Sequence, residues 1–144
     1  MSYSYNDRLK IRGGERLNGE IRVQTSKNAT LPIMSASLLA QGIVLLRDCP
    51  DIIDVENMVK ILRELGAKID RVGDDYSIDS SSILDVCLDY ELCKTMRSSI
   101  FLLGSILARF KSVCLTLPGG CKIGKRPIDI HVQAFRRLKV KVIE

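Results

Sequence analysis

Apolar and polar positions change rhythm repeatedly along this chain. LKIRG (9–13) and EIRVQT (20–25) alternate, as short strands with one buried face do. In SKNATLPIMSASLLAQG the apolar residues from Leu31 to Leu39 recur at helical spacing, and the run stops at Gly42. IVLLRD returns to a strand. DIIDVENMVKILRELGAKI predicts a helix opened by Asp51 or Asp54 as N-cap and closed by Gly66. AKIDRV and YSID predict a hairpin around Gly73-Asp74. DYELCKTMRSSIFLLGSILARF predicts a second long helix, SVCLTL a strand, PIDIHVQAFRRL a third amphipathic helix, and KVKVIE a closing strand. No linker or low-complexity segment interrupts the series.

The order of elements is used twice. Ala40 to Pro50 and Ala108 to Pro118 each run through a helix end, a strand and a turn at the same spacing. A helix and then a strand follow in both copies, KILRELGAKI closing the first and QAFRRLKVKV the second. Such a repeat packs helices on a small sheet and needs several copies to cover its core. The second copy is the longer, and its extra residues fall in LPGGCKIGKRP (117–127). A loop enlarged in one copy only points to function.

Composition narrows the classes. A chain of 144 residues with 46% hydrophobic content is one globular unit or a piece of a larger one. The net charge of +5 suits a small anion as well as nucleic acid, but with no Trp, three Phe and four Tyr there is little to stack on bases. Nucleic acid is therefore disfavoured as a partner. MSYSYNDRLK has no apolar signal core, and the longest apolar run, 99–108, falls short of the roughly 20 residues of a membrane span. Cys49, Cys87, Cys93, Cys114 and Cys121 form an odd set without CxxC, which reads as reduced thiols of a cytoplasmic protein. With His131 as the single histidine, no zinc site is expected.

The glycine-rich loop carries the candidate chemistry. Gly119, Gly120 and Gly124 let a ligand approach the backbone, while Lys122, Lys125 and Arg126 favour the thiolate of Cys121. The same residues equally suit a solvated basic hairpin. GGCKIGKR also fits the glycine and lysine spacing of a phosphate-binding loop, but Arg126 stands where Ser or Thr must hold Mg²⁺. Lys27, with the helix N-terminus behind it, can hold an anion, and Asn28 can offer an amide to a sugar hydroxyl. Arg97 lies near the start of the second long helix. A capping Ser26 and a solvated Arg97 are the plainer readings.

TSKNATLPI, KTMRSSI and above all LPGGCKIGKRPIDIH resemble the bacterial UDP-N-acetylglucosamine enolpyruvyltransferases, over nearly the whole chain from Leu9 to Ile143. The resemblance implies an α/β (α+β) fold of repeated βαβαββ units, the inside-out α/β barrel of that family, incomplete in this chain. Residues 1–26 would then be first strands belonging to the other domain, and 27–144 about two of three repeats of the cysteine-loop domain. It also implies a reaction: transfer of the enolpyruvyl group of phosphoenolpyruvate to the 3-hydroxyl of UDP-N-acetylglucosamine, without cofactor. That step commits sugar nucleotide to peptidoglycan, and so bears on cell-wall biogenesis, cell shape and division. By motif match, the resemblance implies that Cys121 would be the general acid and the residue alkylated by fosfomycin. Lys27 and Arg126 would bind phosphoenolpyruvate and stabilise developing charge. Asn28 would contact the sugar, Arg97 the sugar nucleotide, and Arg126, Pro127, Ile128, Asp129 and Ile130 the uridine-diphosphate end.

Departures qualify the match. Ile53 stands where many relatives place a lysine, and Lys139-Val140 replaces the usual Gly-Ala at a helix stop, which should distort it. The family's aspartate base and a further arginine come from its carboxy-terminal domain, so these 144 residues alone are expected not to turn over substrate. A sheet lacking its third unit leaves an open edge and invites self-association. A non-catalytic anion-binding module is the alternative.

Overall fold

The computed structural model describes residues 10–84, 86–116 and 127–143. The element order is α1 (Lys27–Ala36), β1 (Ile43–Leu46), α2 (Ile53–Glu64), β2 (Lys68–Val72), β3 (Asp75–Asp79), α3 (Tyr90–Thr95), α4 (Phe101–Phe110) and α5 (Asp129–Arg137). This is a mixed α/β architecture, with helices over one face of a small antiparallel sheet of order β1-β3-β2.

Register decides which face is covered. Ile78 pairs with Val44 on one side and Ile69 on the other, and Tyr76 with Leu46 and Arg71. Alternation puts these residues on one face, where Ile69, Tyr76 and Ile78 are buried. Leu31, Met34 and Leu38, from α1 and the 3₁₀ turn after it, join Val55, Met58, Ile61 and Leu62 of α2 and Leu102 and Ile106 of α4 in the same core. Each such side chain contributes about 1.5–3 kcal/mol when fully removed from water. Ile43 and Leu45 alternate onto the opposite side of the edge strand β1 and stay exposed.

Local chemistry sets the turns. Gly73 takes φ +60° between β2 and β3, as the hairpin reading requires, and Arg71 Nε donates to its carbonyl at 2.7 Å. The Cys49 amide donates to Asp74 O at 2.8 Å, tying the loop after β1 to the hairpin. Gly66 ends α2 at φ +103°, its amide bonding Arg63 O at 2.9 Å and the Ala67 amide bonding Leu62 O at 3.0 Å. At the end of α5 the same arrangement recurs: Lys139 takes φ +62°, bonding Arg136 O at 2.9 Å, and Val140 bonds Phe135 O at 3.0 Å. Lys139 therefore does not distort the stop; it occupies the left-handed position that Gly66 occupies in the first copy. A lysine there is strained by about 1–2 kcal/mol relative to glycine.

Several expectations from the pattern do not hold. Among the described residues of 9–13 and 20–25 no strand forms, and Ile11, Ile21 and Val23 are exposed. Alternation shows that a segment could be half-buried, but a strand exists only where another strand pairs with it. SVCLTL contributes one parallel bridge, Cys114 to Cys87, and no strand forms at 139–143. The long helix over 89–110 is broken at Met96, which is extended (φ −146°, ψ 136°) and buried. Side chains take up the carbonyls this break leaves: Thr95 Oγ1 bonds Leu92 O at 2.6 Å and Ser99 Oγ bonds Met96 O at 3.0 Å. Neither Asp51 nor Asp54 caps α2, whose N-cap is Ile52, because each carboxylate is drawn to a cation, Asp51 to Arg71 and Asp54 to Lys27.

The turn at Gly66 yields a test. A Cβ there would lie 2.9 Å from Ser82 O. Gly66→Ala is expected to lower the free energy of urea unfolding by about 1–3 kcal/mol, whereas Gly73→Asn, in open space at a left-handed angle that asparagine tolerates, should change it by under about 0.5 kcal/mol. Equal effects at the two positions would contradict this placement.

Candidate active site

Lys27 opens α1. Ser26 sits at the N-cap, but its hydroxyl makes no capping bond; its carbonyl takes the Ala29 and Thr30 amides at 3.1 and 3.0 Å and the Thr30 hydroxyl at 3.0 Å. No acidic residue lies in the first turn of α1, so its positive end is offset by no side chain of its own. The compensating charge comes from α2. Asp54, in the first turn of that helix, forms an ion pair with Lys27. Lys27 remains half-exposed while Asp54 is more covered. An ammonium held at a helix N-terminus, with a carboxylate fixing its position, can exchange that carboxylate for an incoming anion.

The remaining sites fall at element starts. Asn28, next in α1, is exposed. Arg97 is half-buried and begins the 3₁₀ turn Arg97–Ile100 that leads into α4, where the break at Met96 has placed it. Ile128 is the N-cap of α5 and Asp129 its first residue, with Pro127 and Ile130 exposed beside them. Cys121 and Arg126 lie outside the described residues, as do Gly119, Gly120, Lys122, Gly124 and Lys125.

A groove of about 340 Å³ runs along α1, between Thr25, Ala29 and Ile33 on one side and Leu45, Arg47 and Cys49 on the other. Cys49 is buried in its wall, and burial first, then the carboxylates of Asp75, Asp48 and Asp74, push its thiol pKa up. Cys93 is likewise pushed up by burial. No group of three or more His, Cys, Asp or Glu side chains suited to a metal ion occurs among the described residues. Nor is any described helix long and apolar enough to cross a membrane.

Two residues were missed by pattern alone. Asp54 reads, like Asp51, as a cap, and no local signal pairs it with a lysine in another helix. Arg109 reads as an ordinary basic residue near a helix end, yet its Nη1 donates to Leu38 O at 2.7 Å and Ser80 Oγ at 2.6 Å, joining α4 to the turn after α1 and to the end of β3.

Helices over a small antiparallel sheet, with an ion-paired lysine at the mouth of the first helix, make up a mixed α/β unit. Residues 11–143 match the family EPSP synthase (3-phosphoshikimate 1-carboxyvinyltransferase), and the chain belongs to that family. It is 42% identical over 137 residues to UDP-N-acetylglucosamine 1-carboxyvinyltransferase 2 of Caldanaerobacter subterraneus subsp. tengcongensis, covering 95% of this chain and 33% of that protein. It is 40% identical over 136 residues to UDP-N-acetylglucosamine 1-carboxyvinyltransferase of Yersinia pestis (strain Pestoides F), covering 94% of this chain and 32% of the relative. The chain thus spans about a third of the length of these curated relatives. Among solved structures, the enolpyruvyl transferase NikO from Streptomyces tendae superposes with a TM-score of 0.60 at 27% identity, over 67% of this chain and 23% of that one.

Ile53 is 63% exposed at the first position of α2, beside Asp54. Ile53→Lys should therefore cost little burial, and a cation at a helix N-terminus is unfavourable by about 0.3–1 kcal/mol. Urea unfolding is expected to show a loss within that range; a loss above about 2 kcal/mol would mean that Ile53 is packed in the core.

Proposed function

We propose that this chain is the amino-terminal part of an enolpyruvyltransferase that moves the enolpyruvyl group of phosphoenolpyruvate to the 3-hydroxyl of UDP-N-acetylglucosamine. The observation that carries this reading is the 42% identity, over 95% of the chain, to a protein named for that activity. Residues 1–26 belong in this reading to a second domain and 27–144 to about two of the three repeats of the cysteine-loop domain. The setting is cytoplasmic, at the committed step of peptidoglycan synthesis, where the activity supports cell shape and division.

In the reaction, the sugar hydroxyl adds to C2 of phosphoenolpyruvate while Cys121 gives a proton to the methylene carbon. The resulting tetrahedral adduct then loses phosphate, as a proton leaves the new methyl group, and the vinyl ether remains. Lys27 faces the phosphate and carboxylate charges, with Asp54 fixing its ammonium until the anion displaces the carboxylate. Arg126 shares that work from the cysteine loop. Preorganised cations of this kind stabilise charge at the moment it develops, with no reorganisation left to do. Asn28 meets the sugar, and Arg97, Pro127, Ile128, Asp129 and Ile130 the nucleotide. The proton acceptor and a further arginine are supplied by the part of the enzyme that corresponds to the rest of the relatives' length.

The 144-residue chain mixed with both substrates is therefore expected to release no phosphate, while the full-length protein does. Lys27→Ala in the full-length protein should lower kcat/KM by about 10²–10³-fold. Fosfomycin with UDP-N-acetylglucosamine should leave one adduct, on Cys121, by peptide mass mapping. Turnover by the chain alone, an unimpaired Lys27→Ala enzyme, or labelling scattered over other cysteines would overturn the reading.

A further inference from the structure

Two cysteines outside the proposed site stand opposite each other. The segments around Cys87 and Cys114 meet in a parallel bridge, in which the Cys114 amide donates to Val86 O and the Leu88 amide to Cys114 O, both at 2.9 Å. Their neighbours orient them. Leu88 is buried, and Val86, Val113 and Leu115 pack partly buried against the core, so alternation turns Cys87 and Cys114 outward on the same side. Both are exposed and reduced, and Cys87 also lines a cleft of about 270 Å³ with Glu64, Leu65 and Asp89. Neighbouring strands lie about 4.7–4.9 Å apart, and a disulfide bridges Cα separations of about 4.4–6.8 Å. The buried Cys49 and Cys93 share neither the exposure nor the pairing.

We propose that Cys87 and Cys114 are a reversible redox-modification site, oxidised to an intramolecular disulfide by a low-molecular-weight disulfide. The thiolate of one cysteine attacks a sulfur of the small disulfide, forming a mixed disulfide and expelling one small thiolate. The second protein thiolate attacks the protein-side sulfur, closing the Cys87–Cys114 bond and expelling the other. Two protons and two electrons leave the protein, and the small disulfide becomes two thiols. The bond fastens the segment entering α3 to the segment that runs into residues 117–126. It needs no residue of the proposed active site, so its fate is independent of that reading.

The test equilibrates the full 144-residue chain in glutathione buffers from reducing to oxidising, traps thiols by acid quench and alkylation, and maps peptides without reduction. The expected result is one Cys87–Cys114 disulfide, with loss of two alkylatable thiols and of the mass of two hydrogens, reversed by dithiothreitol. It should persist in Cys121→Ser, and Cys87→Ser should leave a glutathione adduct on Cys114 instead. Separate glutathione adducts on Cys87 and Cys114 at full oxidation, or preferential pairing of either with a different cysteine, would overturn the proposal.

Discussion

A three-stranded sheet has one face to bury, and this fold depends on how closely α1 and α4 can approach each other over it. Small side chains permit the approach. Ser35 of α1 and Ser105 of α4 are both buried, and their hydroxyls share a hydrogen bond of 2.8 Å across a separation of 70 residues. Larger residues at that crossing would hold the helices apart and open the core between Met34 and Ile106. Arg109, a turn further along α4, completes the seam by donating to the Leu38 carbonyl in the turn after α1 and to the Ser80 hydroxyl just past β3. The two copies of the sequence repeat are joined through this seam, since α1 belongs to the first and α4 leads into the second.

The seam also places the proposed chemistry. With α1 locked against α4 on one side and α2 on the other, its first turn is carried to the first turn of α2, where Lys27 meets Asp54. That pair is partly exposed, so its contribution to stability is small. Its consequence is positional: a cation is held at a helix mouth before any ligand arrives. Ile53, exposed beside it, leaves the site one positive charge poorer than the lysine expected from the family resemblance would make it.

Much of this was legible where the determinant is local. Gly66 and Gly73 announced turns through their own backbone freedom, and the apolar spacing of α1, α2 and α5 announced helices. Elements whose existence rests on a distant partner were not legible. Ile21 and Val23 alternate correctly but pair with nothing among the described residues; Met96 breaks a helical pattern because the core takes its side chain; Asp51 and Asp54 resemble caps until Arg71 and Lys27 claim them. The site divides in the same way. Lys27 and Asn28 could be located at a helix start from the sequence, whereas the element start at Arg97, which depends on the break at Met96, and Asp54 as the partner of Lys27 could not.

Hydrogen exchange on the full chain tests most directly the claim that one seam-locked core presents Lys27 without help from a ligand. The amides of α1, α2, α4 and β1–β3 should open together, as a single cooperative unit. Those of α5, a nine-residue helix with no buried side chain, should exchange far faster, together with residues 10–25. Exchange of α1 at the rate of residues 10–25 would contradict the claim, because Lys27 would then sit on a helix that the core does not hold.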